Sequence, residues 1–413
     1  DDNPISLSWI YTKQENRLLE SLYRLSHGRN IKEFRSALPL LHAPGLNVMY
    51  GDAKGNIAWW ATAKLYQMPD SLSTKFVLDG STGKEEPIRY LDFEENPHAV
   101  NPSWDYVYSA NNQPDSIAGI AYPGYYLPEN RARRIVELLE GQEKWDMNNV
   151  GDMINDVVSS VNPEIVSNMA NQIDLKKLTD EESGLLDQLI DWKGDNTMGS
   201  TEPALFHKWL YFIFKNAFED ELGTERFNQF LNTHLFKRTI APLSQNSESI
   251  WWDNIHTKEI TEQQQDIVTA SFLQAVDSLK EILGPETHSW TWDRIHTIEH
   301  KHPIGEVESL RSFFNVGPFP IHGTREVINN MTFPYDSTGT FKVKSGPSTR
   351  RVIDFSDIEN GLGILPTGQS GNPLSRHYRD QAEMYNKGEY RKMMLNKEEI
   401  IATSKSLLIF RPH

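Results

Sequence analysis

The sequence predicts an α+β fold that carries a large helical insertion. Strand-like runs lie towards both ends of the chain. A long stretch of 3.6-residue periodicity separates them, and the two patterns do not alternate as a repeated βαβ sheet would require. The 413 residues are 38% hydrophobic, enough for a sizeable core. Three regions follow. Residues 1–126 hold helices, a β-hairpin and a strand; 127–289 are mainly helical; 290–413 hold strands and a C-terminal segment. All three are expected to form one structural unit.

Residues 5–43 read as mostly helical, because Leu18, Leu19, Leu22 and Leu25 keep helical spacing, as do Ile31, Phe34 and Leu38. Asn47-Val48-Met49-Tyr50 and Ile57-Ala58-Trp59-Trp60 flank Asp52-Ala53-Lys54-Gly55, the pattern of a hairpin. Residues 67–105 are loop-rich, with turn signals at Asp79-Gly80 and Thr82-Gly83. Residues 106–110 read as a short strand halted by Asn111-Asn112-Gln113-Pro114. From Pro128 to about Leu283 the periodicity is helical, with breaks at Gly141, residues 194–199, Gly223 and residues 244–249. Strands return after Trp290, and residues 340–344 and 350–355 alternate as half-buried strands do.

Composition narrows the function classes. Lys and Arg number 41 against 57 Asp and Glu, a formal charge of -16. Such a surface repels phosphate backbones, and there is no basic stripe, which argues against a nucleic-acid partner. The absence of cysteine excludes disulfides, thiolate zinc sites and a Cys nucleophile. No apolar run reaches the roughly 18 residues of a membrane span. The chain opens on Asp1-Asp2-Asn3-Pro4 without a charged-then-apolar leader, so it reads as a fragment or a processed product whose export signal was removed or lay upstream.

Three constellations could carry chemistry. Asn111 ends the 106–110 strand, where a side chain can project into a cleft and its amide N–H can stabilise a developing oxyanion; ordinary turn chemistry is the plainer reading. Arg131 falls on the same helix face as Ile135, Leu138 and Leu139, whereas Arg133 and Arg134 have Glu137 as a neighbour. An arginine on an apolar face needs a partner, be it a substrate carboxylate, Asn111 or a purely structural one. His296-Thr297-Ile298-Glu299-His300 matches the H-x-x-E-H zinc pattern. Trp290, Trp292, Ile295, Thr297 and Ile298 favour a strand there, which would part the two histidines. Trp59-Trp60 and Trp251-Trp252 suit either sugar stacking or a core. Gly368 and Gly371 suit a loop, with Gln369 able to reach a neighbouring chain.

Several stretches, in order and at consistent spacing, resemble the penicillin acylase (penicillin amidase) family of N-terminal-nucleophile hydrolases. They are residues 47–57, Asn96-Pro97, Asn101-Pro102, residues 106–114, Asn130-Arg131-Ala132-Arg133-Arg134-Ile135, His302-Pro303-Ile304-Gly305, residues 314–320 and Gly368-Gln369-Ser370-Gly371-Asn372-Pro373 with His377-Tyr378-Arg379-Asp380-Gln381. The resemblance implies an αββα sandwich, with this chain supplying the C-terminal part of the β chain and some of its antiparallel strands. It implies cleavage of linear amides by a Ser at the start of the β chain, whose own α-amino group serves as base. By position, Asn111 would be the oxyanion donor, and Arg131 would orient Asn111 or the amine end of the substrate.

The nucleophile is not in this chain. The resemblance therefore implies partners, namely an α chain and the N-terminal part of the β chain, and inactivity of this chain alone. It also implies proteolytic maturation and a periplasmic location. No cofactor is implied for the reaction; a structural calcium ion is allowed, though no complete ligand set is legible. Two other classes stay open: a zinc metallopeptidase using His296, Glu299 and His300, and a non-catalytic carbohydrate-binding module using the Trp-rich surfaces.

Overall fold

The computed structural model describes residues 4–412. Helix outweighs strand, 41% to 12%, and the strands form small sheets. The chain divides into two compact units, Asp1–Ala132 and Arg133–His413.

In the first unit, α1 (Ile10–Lys13), α2 (Leu18–His27) and α3 (Ile31–Ala37) precede the hairpin β1 (Leu46–Gly51) and β2 (Ile57–Thr62). Asn30 starts α3 by accepting from the Lys32 and Glu33 N–H groups, both at 3.0 Å. Asp52 builds the turn, accepting from the Lys54 N–H at 2.9 Å, the Asn56 N–H at 3.1 Å and the Tyr50 hydroxyl at 2.9 Å. Those bonds, led by the Asn56 side chain, hold its carboxyl down at about 2. The short pair β3 (Tyr66–Gln67) and β4 (Arg89–Tyr90) follows, then β5 (His98–Val100), which joins β2 to give the antiparallel order β1-β2-β5. Val48, Tyr50, Ala58 and Trp60 point to one face of this sheet and pack against Leu25, Ile31, Phe34 and Leu38 from the helical segment.

Residues 106–110 correct the sequence reading. They form no ladder, because none of the described strands pairs with them; the contact nearby is an isolated bridge between Asn112 and Leu127. The division between the units falls within α4 (Asn130–Glu140), which stops at Gly141 as expected.

The second unit is led by helices: α5 (Met147–Ile154), α6 (Asn162–Ala170), α7 (Asp180–Asp191), α8 (Glu202–Phe230), α9 (His234–Gln245) and α10 (Gln264–Leu283). Thr179 and Glu182 close a capping box on α7. Gly223, at φ 71°, breaks α8 as its position in the sequence suggested. The core runs from Ile165 on α6 to Phe341, with Trp209, Phe214, Phe272, Trp292 and Phe333 fully enclosed. β6 (His296–His300) lies between β7 (Val316–Pro320, after α11, Glu308–Phe314) and β8 (Phe341–Val343); it pairs antiparallel with the first and parallel with the second. β9 (Arg350–Val352), β10 (Leu362–Ile364) and β11 (Arg391–Lys392) form another antiparallel sheet, with α12 (Ala382–Asn386) and α13 (Lys397–Thr403) around β11. Trp290 and Trp292 were expected on a strand; they lie instead at 3₁₀ turns, since the Trp292 indole buries itself and donates to the Gly323 carbonyl at 2.9 Å.

Gly194 is required by its site. Its φ is +86°, and a Cβ there would lie 2.2 Å from the Ser159 carbonyl oxygen. Gly194→Ala should destabilise the protein by about 2 kcal/mol or more, read as a lower denaturant midpoint.

Candidate active site

Asn111 is the centre of the candidate site in the first unit. Its backbone is left-handed, φ 61°, a conformation Asn tolerates better than other residues with a Cβ. The Leu127 N–H donates to the Asn111 carbonyl at 2.8 Å, and Asn112 bridges Leu127, so residues 110–112 are pinned from one side. Pro128 then leads into α4, whose first turn presents Arg131. A cation is disfavoured at that end of a helix, and two hydrogen bonds offset the cost. Arg131 Nη2 donates to the Ala110 carbonyl at 2.7 Å and to Asn111 Oδ1 at 2.8 Å.

That second bond has a chemical consequence. A guanidinium only donates, so the Asn111 carboxamide is held with Oδ1 towards Arg131 and its NH₂ group turned away. The side chain is exposed, whereas Ala110 beside it is buried. The arrangement is a fixed amide donor at the surface of the unit, braced from behind. Nearby, Tyr108 is half-buried, and burial, then the Glu129 carboxylate, pushes its hydroxyl pKa up. The sequence singled out both residues and left Asn111 as one of several partners open to Arg131; the structure forms that bond. It adds the Ala110 carbonyl, Asn112 and Leu127, which no side-chain pattern could have signalled because they act through the backbone.

The zinc constellation does not survive. His296–His300 is a strand, so His296 and Glu299 point to opposite faces, and the two histidines are about 13 Å apart along it. Glu299 is engaged by Arg311 at 2.9 Å, and the buried His296 ring stacks on Trp292 with centroids 4.4 Å apart. The Trp pairs do not form a sugar platform either: Trp60 and Trp252 are buried at 1% exposure, and Trp251 stacks on Phe218. In the 368–381 loop, Gly368 lies against the His377 carbonyl and Gln381 Oε1 accepts from the Leu365 N–H at 3.1 Å, which gives that motif a structural role.

A sequence model of the family described as Penicillin amidase matches residues 1–402. The chain belongs to the penicillin amidase family. Acyl-homoserine lactone acylase QuiP of Pseudomonas aeruginosa is 25% identical to this amidase-family chain over 411 residues, covering 92% of the chain and 48% of the relative. Penicillin acylase 2 proenzyme of a Pseudomonas species is 23% identical over 81% of the chain and 42% of the relative. The chain thus spans about half the length of these curated relatives. The solved thermostable penicillin G acylase from Alcaligenes faecalis aligns with a TM-score of 0.64 at 18% identity, over 96% of this chain and 73% of that one. That likeness shows the N-terminal-nucleophile hydrolase fold expected from the sequence, to which this amidase-family chain contributes small sheets and a large helical part. Family membership also sets aside the carbohydrate-binding module. Among the described residues, no group of three or more His, Asp or Glu side chains is arranged for the structural calcium that the resemblance allows. No described helix is long and apolar enough to cross a membrane.

Proposed function

We propose that this chain is the C-terminal portion of an N-terminal serine amidohydrolase that cleaves linear amides of N-acyl compounds. The observation that carries the proposal is the Asn111 carboxamide held by Arg131 through its Oδ1, which turns its NH₂ group the other way. In this reading, a Ser hydroxyl at the start of another segment attacks the amide carbonyl, and its own α-amino group takes the proton. The C=O electrons move onto oxygen, and the Asn111 Nδ2–H stabilises that charge together with a backbone N–H from the nucleophile segment. The intermediate collapses, the amine leaves with a proton from the ammonium group, and water then hydrolyses the acyl-serine. Acyl-homoserine lactones and penicillins, the compounds in the names of the relatives, are the substrate classes to try first. Maturation by proteolysis and a periplasmic location belong to the same reading; cell fractionation checks the second.

The direct test compares this chain alone with the chain co-produced with its nucleophile-bearing segment. The chain alone should release no amine from an N-acyl substrate, and the pair should turn over. Hydrolysis by residues 1–413 alone would overturn the proposal. Arg131→Met should leave the Asn111 amide free to rotate and lower kcat roughly 10-fold with little change in KM, measured on the assembled enzyme.

A further inference from the structure

The segment between β7 and β8, in the second unit, is anchored at several points. The Thr324 hydroxyl lies 2.7 Å from His207 Nε2, and the Met331 N–H donates to the Thr324 carbonyl at 2.9 Å. The Asn329 N–H donates to the Asp156 carbonyl at 2.9 Å, while Arg350 Nη2 donates to Asn329 Oδ1 at 2.8 Å. These bonds hold Glu326 in the left-handed region, at φ 59°, where a glutamate is strained. They also hold Arg325 indoors, at 9% exposure.

Arg325 has aromatic neighbours in place of an anion. Its Cζ lies 5.1 Å from the centre of the Tyr335 ring, 5.3 Å from Phe236 and 6.0 Å from Phe333. Its Nη1 is enclosed and has no hydrogen-bond acceptor among the described residues. The carboxylate next in sequence is already engaged, because Lys237 Nζ lies 2.6 Å from Glu326 Oε1. Burial pulls the guanidinium pKa below the usual arginine value, opposed by Tyr335 and Glu326. The ring faces offset part of the cost of burying the charge, but they offer its N–H groups no acceptor. Phe236 and Lys237 lie in the first turn of α9, which carries no acidic residue, so the positive end of that helix adds to the local field.

We infer that Arg325 anchors a binding site for a small monovalent carboxylate. A guanidinium presents N–H groups in a planar fork that matches the two oxygens of a carboxylate. The rings behind it lower the local dielectric and strengthen such bonds. Glu326 sets the charge of the ligand: with one carboxylate already beside Arg325, a doubly charged phosphate or sulfate meets more repulsion than a singly charged acid does. Lys237 limits that repulsion by holding Glu326 Oε1. The site uses neither Asn111 nor Arg131, so it stands apart from the hydrolase reading.

Calorimetric titration of acetate into the 413-residue chain, in a buffer free of carboxylates and low in salt, tests this. One equivalent should bind with a Kd of about 1 mM. Arg325→Met should weaken binding at least about 10-fold, the loss of a charge-assisted hydrogen bond. Without acetate it should melt no lower than the wild type, because it removes a buried unpaired charge and keeps the volume. An arginine that only braces its rings predicts a lower melting temperature instead. Lys237→Gln is the second variant: it leaves Arg325 in place but frees Glu326 to compete, so it should also weaken acetate several-fold. No binding by the folded wild type at about 10 mM acetate overturns the inference, as does unaltered binding by both variants. Equal binding of chloride or phosphate shows an adventitious ion only and overturns it too. Acetate bound by the chain alone but refused by the enzyme assembled with its upstream segment would give the guanidinium a polypeptide partner, and the small-molecule site would fall.

Discussion

Asn111→Ala in the assembled enzyme should lower kcat by about 10²–10³ with KM nearly unchanged, because the lost hydrogen bond strengthens only as charge develops on the carbonyl oxygen. The left-handed backbone at position 111 complicates that variant, since Ala at φ 61° adds strain of its own. Asn111→Gly separates the two effects. Glycine accepts the conformation and removes the amide, so it should lose as much turnover as Ala while keeping the melting temperature of the wild type. Asn111→Asp is the third arm: it keeps the shape but presents only acceptors to the oxyanion, and its carboxylate can still pair with Arg131. It should be as slow as Ala. Normal turnover by the Gly and Asp variants would remove the oxyanion role altogether.

Acid should unfold the second unit through its buried histidines. His207 sits in the core with Nδ1 at 2.6 Å from the Tyr335 hydroxyl and Nε2 at 2.7 Å from Thr324 Oγ1. Its ring stacks on Trp292, which stacks on His296, and His296 Nδ1 donates to the Phe341 carbonyl at 2.8 Å. Burial, reinforced for His207 by His296 and Arg325, disfavours the charged ring at both positions and lowers His296 to about 3. The unfolded chain binds protons at these rings near 6.5 and the native one does not, so stability present above pH 6.5 is lost as pH falls through the window from 6.5 to 3. His296 by itself should cost roughly 3 kcal/mol by pH 4. His296→Gln, which can still donate to the Phe341 carbonyl, should flatten the acid limb of a plot of melting temperature against pH. An unchanged slope would show that the ring is charged or solvated in the native state.

How far the fold was legible depends on where each signal lives. The hairpin at 46–62 was plain because Asp52, Asn56 and Gly55 write their turn into consecutive residues. The helix at 130–140 was plain because Pro128 and Gly141 bracket one periodic run. Gly223 and the 194–199 break were visible for the same reason. The strand expected at 106–110 failed because a ladder needs a neighbour that local composition does not specify. Trp290 and Trp292 misled because aromatic residues suit a strand and a core equally well, and here the core took them.

The sequence by itself settled the periodicity, the turns and the family-like order of motifs, and it picked out Asn111 and Arg131, with Asn111 as one of several partners open to Arg131. Only the tertiary structure chose among those partners, through one guanidinium that crosses 20 residues of chain to hold an amide oxygen. The same holds for His296 and Glu299, adjacent in a zinc-like pattern yet facing opposite ways once the segment became a strand. Local propensities act over a few neighbouring residues, whereas the direction of a side chain is set by whatever distant segment packs against it.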